Sequence, residues 1–223
     1  METSLHRQLK WHYVEDESQH EVRCDGFRID AVRGRELIEI QHGSLSAIRD
    51  KIAKLLKKKH TVRVVKPIVA EKLLVKLDGK DGEVVSRRRS PKRGKLLDVF
   101  DHLVYFTRVF PHNKLILDVP LVTVEEHRYP GHGKRRRRRE RDFVVQDQLL
   151  TDVLEIHSLR THADLRKFLP KRLPRKFHTG HLAEKLKVPR WTAQRMAYCL
   201  RETGSLHVVG KEGNAVLYSR KAA

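Results

Sequence analysis

Gly26-Phe27-Arg28-Ile29-Asp30 and, further on, Leu37-Ile38-Glu39-Ile40-Gln41 are the two stretches on which the reading of this chain turns. Each is short, apolar and rich in β-branched residues, with one acid set inside it. Arg33-Gly34-Arg35 between them suits a tight turn, so the pair reads as adjacent antiparallel strands. Side chains alternate along a strand, which puts Glu39 and Gln41 on one face and Ile40 on the other, and a turn at Gly34 brings Asp30 beside them. Two carboxylates at one place on a sheet are hard oxygen ligands of the kind that hold Mg²⁺ or Mn²⁺, and such a cation activates water and offsets charge on a scissile phosphate. The flanking Ile29, Leu37, Ile38 and Ile40 make the acids costly unless a cation or hydrogen-bond donors compensate them. The plainer alternative is that Asp30 and Glu39 are strand-surface acids paired with Arg28, Arg33 or Arg49. Acids are depleted in strands, which weighs against it.

Outward from this pair, the apolar spacing of Leu5, Leu9, Trp11 and Tyr13 predicts a helix over Ser4–Tyr13, and His20–Cys24 reads as a further strand before Asp25-Gly26. Leu45, Ile48, Ile52, Leu55 and Leu56 make one stripe of an amphipathic helix over Ser44–Lys58. Strands follow at Thr61–Val69 and Lys72–Leu77. Ser86–Lys95 reads as a basic turn, Leu96–Val104 as a helix, Lys114–Val124 as a strand, and the Arg-rich 134–141 run as a solvated loop or linker. The last third predicts helices over His162–Leu169, from a Thr179 cap through Leu186, and over Arg190–Thr203 closed by Gly204. A hairpin of Leu206–Val209 with Ala215–Tyr218 follows. Three helices and a hairpin in that order outline a winged helix-turn-helix. The expected division is 1–80 as core, 81–145 as a basic extension and linker, and 146–223 as the winged helix-turn-helix.

The 223 residues include 48 Lys and Arg against 28 Asp and Glu, a net charge of +20, which favours a polyanionic partner, and nucleic acid above an acidic membrane surface. With 39% hydrophobic and 34% charged residues the chain is polar yet able to form a core. No apolar run is long enough to span a bilayer, and Met1 to Lys10 lacks the apolar stretch of a secretion signal, so a soluble cytoplasmic protein is expected. Cys24 and Cys199 are too few for a disulfide framework or a thiolate metal site, and the scattered spacing of the 14 histidines points away from zinc.

On Gly26–Asp30 and Leu37–Gln41, within the αβββαβ order, the chain resembles the PD-(D/E)xK nuclease superfamily. More closely, it resembles prokaryotic proteins that pair such a core with a winged helix. The resemblance spans about the first seventy-five residues. It implies an α+β or α/β, restriction-endonuclease-like core, with Asp30 and Glu39 as ligands of Mg²⁺ or Mn²⁺ and an acid from the first helix, Glu2 or else Glu21, joining them. Where the superfamily pattern has Lys, this chain has Gln41, which can orient a water but adds no positive charge; Lys66, Lys51 or His42 are the candidates to compensate. The expected activity is metal-dependent DNA cleavage by a prokaryotic, nucleoid-associated protein, with a possible homodimer. The alternative is a catalytically inactive nuclease fold that binds DNA, and an RNA-binding module is a third reading. Expected contacts to double-stranded or branched DNA come from Arg28, Lys66, the basic turn with Arg88, the third C-terminal helix with Arg190, Thr192, Gln194 and Arg195, and Lys211 on the wing.

Overall fold

In a computed structural model, residues 3–131 and 142–220 are described. The chain runs α1 (Ser4–Tyr13), β1 (His20–Cys24), β2 (Phe27–Arg33), β3 (Glu36–Ile40), α2 (Arg49–Lys57), β4 (Thr61–Val65), β5 (Ile68–Leu77), β6 (Val84–Arg89), α3 (Phe100–Leu103), β7 (Leu115–Pro130) and β8 (Phe143–Leu159). It then continues through α4 (His162–Arg166), α5 (Thr179–Leu186), α6 (Arg190–Glu202), β9 (Leu206–Glu212) and β10 (Ala215–Arg220). The result is a mixed α+β molecule built on one large mixed sheet, with a separate two-stranded hairpin at the end.

β7 is the spine of the sheet. β8 lies antiparallel along one of its edges, and β4 followed by β5 lies parallel along the other. Lys66 and Pro67 separate β4 from β5, yet the Lys66 N–H still reaches the Asp118 carbonyl of β7 at 2.8 Å, so the two strands form nearly one extended run. Beyond that run the sheet forks. β3, β2 and β1 continue outward from β4, with β3 parallel to it, whereas β6 continues antiparallel from β5. The gap between the two branches opens at Lys66-Pro67.

Helices cover both faces of the β3–β4 region, which explains why its strands read as nearly unbroken apolar runs rather than alternating ones. Leu37, Val62, Val64, Leu115 and Leu117 pack with Ile52 and Leu55 of α2, Phe100 and Leu103 of α3, and Met196 and Leu200 of α6. On the other face Ile38, Ile40, Val65 and Val122 pack with Leu5, Leu9 and Tyr13 of α1. α1 also docks on β8, where Ser4 N–H donates to Asp147 Oδ1 at 2.9 Å and the Leu150 N–H donates to Gln8 Oε1 at 2.7 Å.

Several expectations change here. Within the stretch expected as a basic extension and linker, 81–145, β6 and β7 are strands of the main sheet, and the expected boundary between 145 and 146 falls inside β8. Val84 to Arg89, read in part as a basic turn, is an edge strand exposed along its whole length. α5 is capped by His178, whose Nδ1 accepts the Gly180 N–H at 3.0 Å, rather than by Thr179. Gly204 follows α6 with φ 72°, as its place after the helix requires. The Arg-rich 134–141 run lies outside the described residues.

Candidate active site

Gly34, at φ 60°, closes the turn between β2 and β3, whose ladder pairs Val32 with Leu37 and Ala31 with Ile38. The next residues in that register are Asp30 and Glu39. There a side chain replaces the ladder, since Asp30 Oδ2 accepts the Ile40 N–H at 2.7 Å. The same oxygen lies 3.2 Å from His6 Nε2 of α1. Glu39 is only 3% exposed, and its Oε1 lies 2.5 Å from Lys51 Nζ of α2, an ion pair outside hydrogen-bond geometry. Lys51 also donates to the Arg28 carbonyl at 2.5 Å, which ties α2 to β2. The two acids thus take their partners from helices on opposite faces of the sheet.

These surroundings separate the acids. Burial, reinforced by the neighbouring Asp30 charge, pushes Glu39 up to about 7 even though Lys51 favours its ionised form. For Asp30, burial again works upward, but the His6 contact and the Ile40 N–H outweigh it and hold the carboxyl below its ordinary value. None of the arginines considered as partners is involved. Arg28 pairs with Glu21, Arg33 with Glu36 at 2.8 Å, and Arg49 with Asp50 at 2.9 Å.

Among the three groups that could compensate for Gln41, Lys51 is the one on the acid pair. Gln41 itself donates its side-chain amide to the Ser44 carbonyl at 3.0 Å. Lys66, 2% exposed, donates to the His42 and Gly43 carbonyls at 2.5 and 2.9 Å, and burial pulls its ammonium down to about 8. Glu2 lies outside the described residues, and Glu21 is taken up by Lys10 and Arg28. His6 was not singled out by sequence; its only signal is its place on a helix that covers these strands.

Asp30 and Glu39 are the residues that could hold a hard divalent cation, with Lys51 Nζ displaced from Glu39 Oε1. Asp30 uses Oδ2 for both of its contacts, which leaves Oδ1 for a metal, and Glu39 Oε1 is a buried oxygen whose ionised form its surroundings disfavour.

At the fork of the sheet lies a cavity of about 690 Å³, bounded by the 42 and 66–72 region, the 90–98 segment, and the start of α6. Lys66, Lys72, Lys92, Arg93, Lys95 and Lys187 line it, against Asp98 and Asp101. Part of that charge is spent internally, because Lys72 and Arg128 pair with Glu126, and Arg93 pairs with Glu71 at 3.0 Å. His102 also lines it and is held neutral to about pH 4, by burial first and then by the nearby Lys66 charge. The excess suits a bound polyanion.

Of the side chains expected to meet DNA, Arg28, Arg88, Arg190, Gln194 and Lys211 are exposed. Thr192 is buried in the wall of the cavity, because the start of α6 is packed against it. Arg195 is exposed but held by Asp101 at 2.9 Å and over the Trp191 ring at 4.7 Å. Trp191 itself is half exposed. No helix among the described residues is long and apolar enough to cross a membrane.

No solved structure matches the chain. An uncharacterized protein of Treponema pallidum (strain Nichols) is 27% identical over 224 residues, covering 99% of this chain and 86% of that relative. The model of a family described as a domain of unknown function, DUF8091, matches residues 3–160, so it takes in α1 through β8 and with them both acids of the candidate site. The chain belongs to that family.

Proposed function

We propose that the protein is a metal-dependent phosphodiesterase that cleaves DNA, with Asp30 and Glu39 holding Mg²⁺ or Mn²⁺. The observation that carries this reading is the juxtaposition of the two acids on β2 and β3, with Lys51 on Glu39 in place of the cation that Gln41 does not provide. Once bound there, a divalent cation supplies Lewis-acid polarisation and a more acidic water. Lys51, displaced from Glu39 Oε1 but held close by its place on α2, contributes a positive charge beside the place where negative charge develops, which a neutral amide at position 41 cannot do. His6 orients Asp30 and holds it ionised. The basic cavity at the fork, with exposed Arg88 and the outward residues of α6, supports a duplex held by backbone contacts on the basic side of the molecule. The order α4, α5, α6, β9, β10 supports a winged helix-turn-helix as the second gripping unit.

Purified protein incubated with linear, nicked, branched and single-stranded DNA tests the proposal. Cleavage is expected in Mg²⁺ or Mn²⁺, with a loss of at least about 100-fold in Asp30→Ala and in Glu39→Ala and a smaller loss, about 10- to 100-fold, in Lys51→Ala. Cleavage that survives both acid substitutions overturns the site. The second reading, a DNA-binding protein that has lost catalysis, is favoured by Lys51 and His6 already compensating the acids. It predicts tight, salt-sensitive DNA binding with no product in either metal.

A further inference from the structure

At the opposite end of β4 from Gln41, three metal-ligand side chains meet that sequence spacing does not connect. We propose that Cys24, Asp25 and His60 form a site for a zinc-class divalent cation that clamps the β1–β2 turn to the entrance of β4. Their ligand atoms all lie within 4.8 Å of one another. Cys24 Sγ is 3.8 Å from His60 Nε2, and that nitrogen is 2.6 Å from Asp25 Oδ2. Two ligands on one tetrahedral zinc stand about 3.3 to 3.6 Å apart, from bond lengths of about 2.3 Å to sulfur and about 2.0 to 2.1 Å to nitrogen or oxygen. The sulfur and imidazole therefore stand almost at ligating separation already. The imidazole and carboxylate need to part by only about 0.7 Å on the same geometry, as a cation replaces the proton they share.

The surroundings fix the ligands. Asp25 and Gly26, with φ 53° and 83°, form the tight turn that joins β1 to β2, and Cys24 pairs with Phe27 to close it. His60 is anchored by its N–H to the Leu55 carbonyl at 3.2 Å. Lys58 Nζ sits 2.8 Å from Asp25 Oδ1 and directs Oδ2 toward His60, the part that an outer-shell partner plays around a metal carboxylate. Asp25 is exposed, so water can fill a fourth position. A sulfur, an imidazole and one carboxylate select a borderline-soft ion, whereas Asp30 and Glu39 offer only oxygen. The length of β4, about 13 Å at about 3.3 Å per residue, keeps the two centres apart. The clamp joins two segments 35 residues apart in the chain and would stabilise the fold independently of any cleavage chemistry.

Cobalt is the probe. Full-length metal-free protein titrated with Co²⁺ is expected to take up one equivalent with a thiolate-to-cobalt charge-transfer band and the strong visible bands of tetrahedral cobalt, both displaced by Zn²⁺. Cys24→Ser should abolish the charge-transfer band, and His60→Gln should weaken uptake at least tenfold, roughly the lower end of what loss of even an outer-shell partner costs. Cys199→Ser should be silent, because Cys199 is buried and its thiol is pushed up to about 12, first by burial and then by Asp101. The Asp30→Ala/Glu39→Ala double variant should keep the full spectrum. Zn²⁺ should raise the melting temperature of the wild type but not of Cys24→Ser. A wild-type spectrum that stays that of octahedral aqueous cobalt, a charge-transfer band unchanged in Cys24→Ser, or one lost in the double acid variant overturns the site.

Discussion

Burial raises Glu39 to about 7 while His6 and the Ile40 N–H hold Asp30 down, so near neutral pH the pair carries between one and two negative charges. The folded protein therefore binds a proton at Glu39 more tightly than the unfolded chain, where the ordinary value is 4.5. Its protonated form contributes stability that is fully present below about pH 4.5 and is lost as pH rises through about 7. At about 1.4 kcal/mol per pH unit that shift, in which the opposing Lys51 charge is already included, amounts to about 3 kcal/mol. Urea unfolding of wild type and Glu39→Gln across pH 4.5 to 8 checks this. The variant should gain that amount relative to wild type as pH rises, and a difference independent of pH would contradict the assigned environment. The acid pair was legible in the sequence because both residues sit in short apolar strands around an Arg-Gly-Arg turn. Their partners were not, because His6 and Lys51 arrive from helices on opposite faces and no local pattern reports which side chain a helix lays on a strand.

At the scale of elements, Arg63 of β4 does for the sheet interior what Lys51 does for Glu39. It is 9% exposed, donates to both oxygens of Glu36 at 3.0 Å, and reaches Asp118 Oδ2 of β7 at 2.6 Å. Asp118 also accepts from Ser158 Oγ of β8 at 2.6 Å and from Tyr13 Oη of α1 at 3.2 Å. One ionic network thus joins α1, β3, β4, β7 and β8. Arg63→Met should destabilise the protein by about 3–5 kcal/mol in chemical denaturation, because it leaves Asp118 and Glu36 short of their countercharge in the interior. A loss under about 1 kcal/mol would mean the network is not a structural tie. The elements themselves were legible where one period dominated: α1, β1 to β3, α2, α6 and the terminal hairpin follow the expected order. β6 and β8 were not. β6 is an exposed edge strand made of Val-Val-Ser-Arg-Arg-Arg with no buried face to alternate, and the ladder of β8 with β7 slips register at three places, which erases a period of two.

For the whole molecule, the net charge of +20 now has a geography. Part of it is spent on internal pairs such as Lys72 with Glu126 and Arg128 with Glu126, and part lines the cavity where the sheet forks at Lys66-Pro67. That cavity could not be read from sequence, because it exists only where β4 and β5 share β7 as a neighbour and part company on their other edge. If it holds nucleic acid, a Lys92→Glu/Lys95→Glu variant should bind DNA more weakly at every sequence tested. Its plot of log affinity against log salt should flatten by up to about 1.8, close to 0.9 per phosphate contact removed. An unchanged slope would place the DNA elsewhere.

The central claim, that Asp30 and Glu39 form a hard-metal site for phosphodiester hydrolysis, meets its most direct test in a crystal soaked with Mn²⁺ and measured for anomalous scattering. A peak bound by Asp30 Oδ1 and a Glu39 carboxylate oxygen is expected, with Lys51 swung off Oε1, and no such peak in crystals of the Asp30→Ala/Glu39→Ala double variant. Wild-type crystals in which Lys51 stays on Glu39, His6 stays on Asp30 and no anomalous density lies between the acids at saturating Mn²⁺ would contradict it.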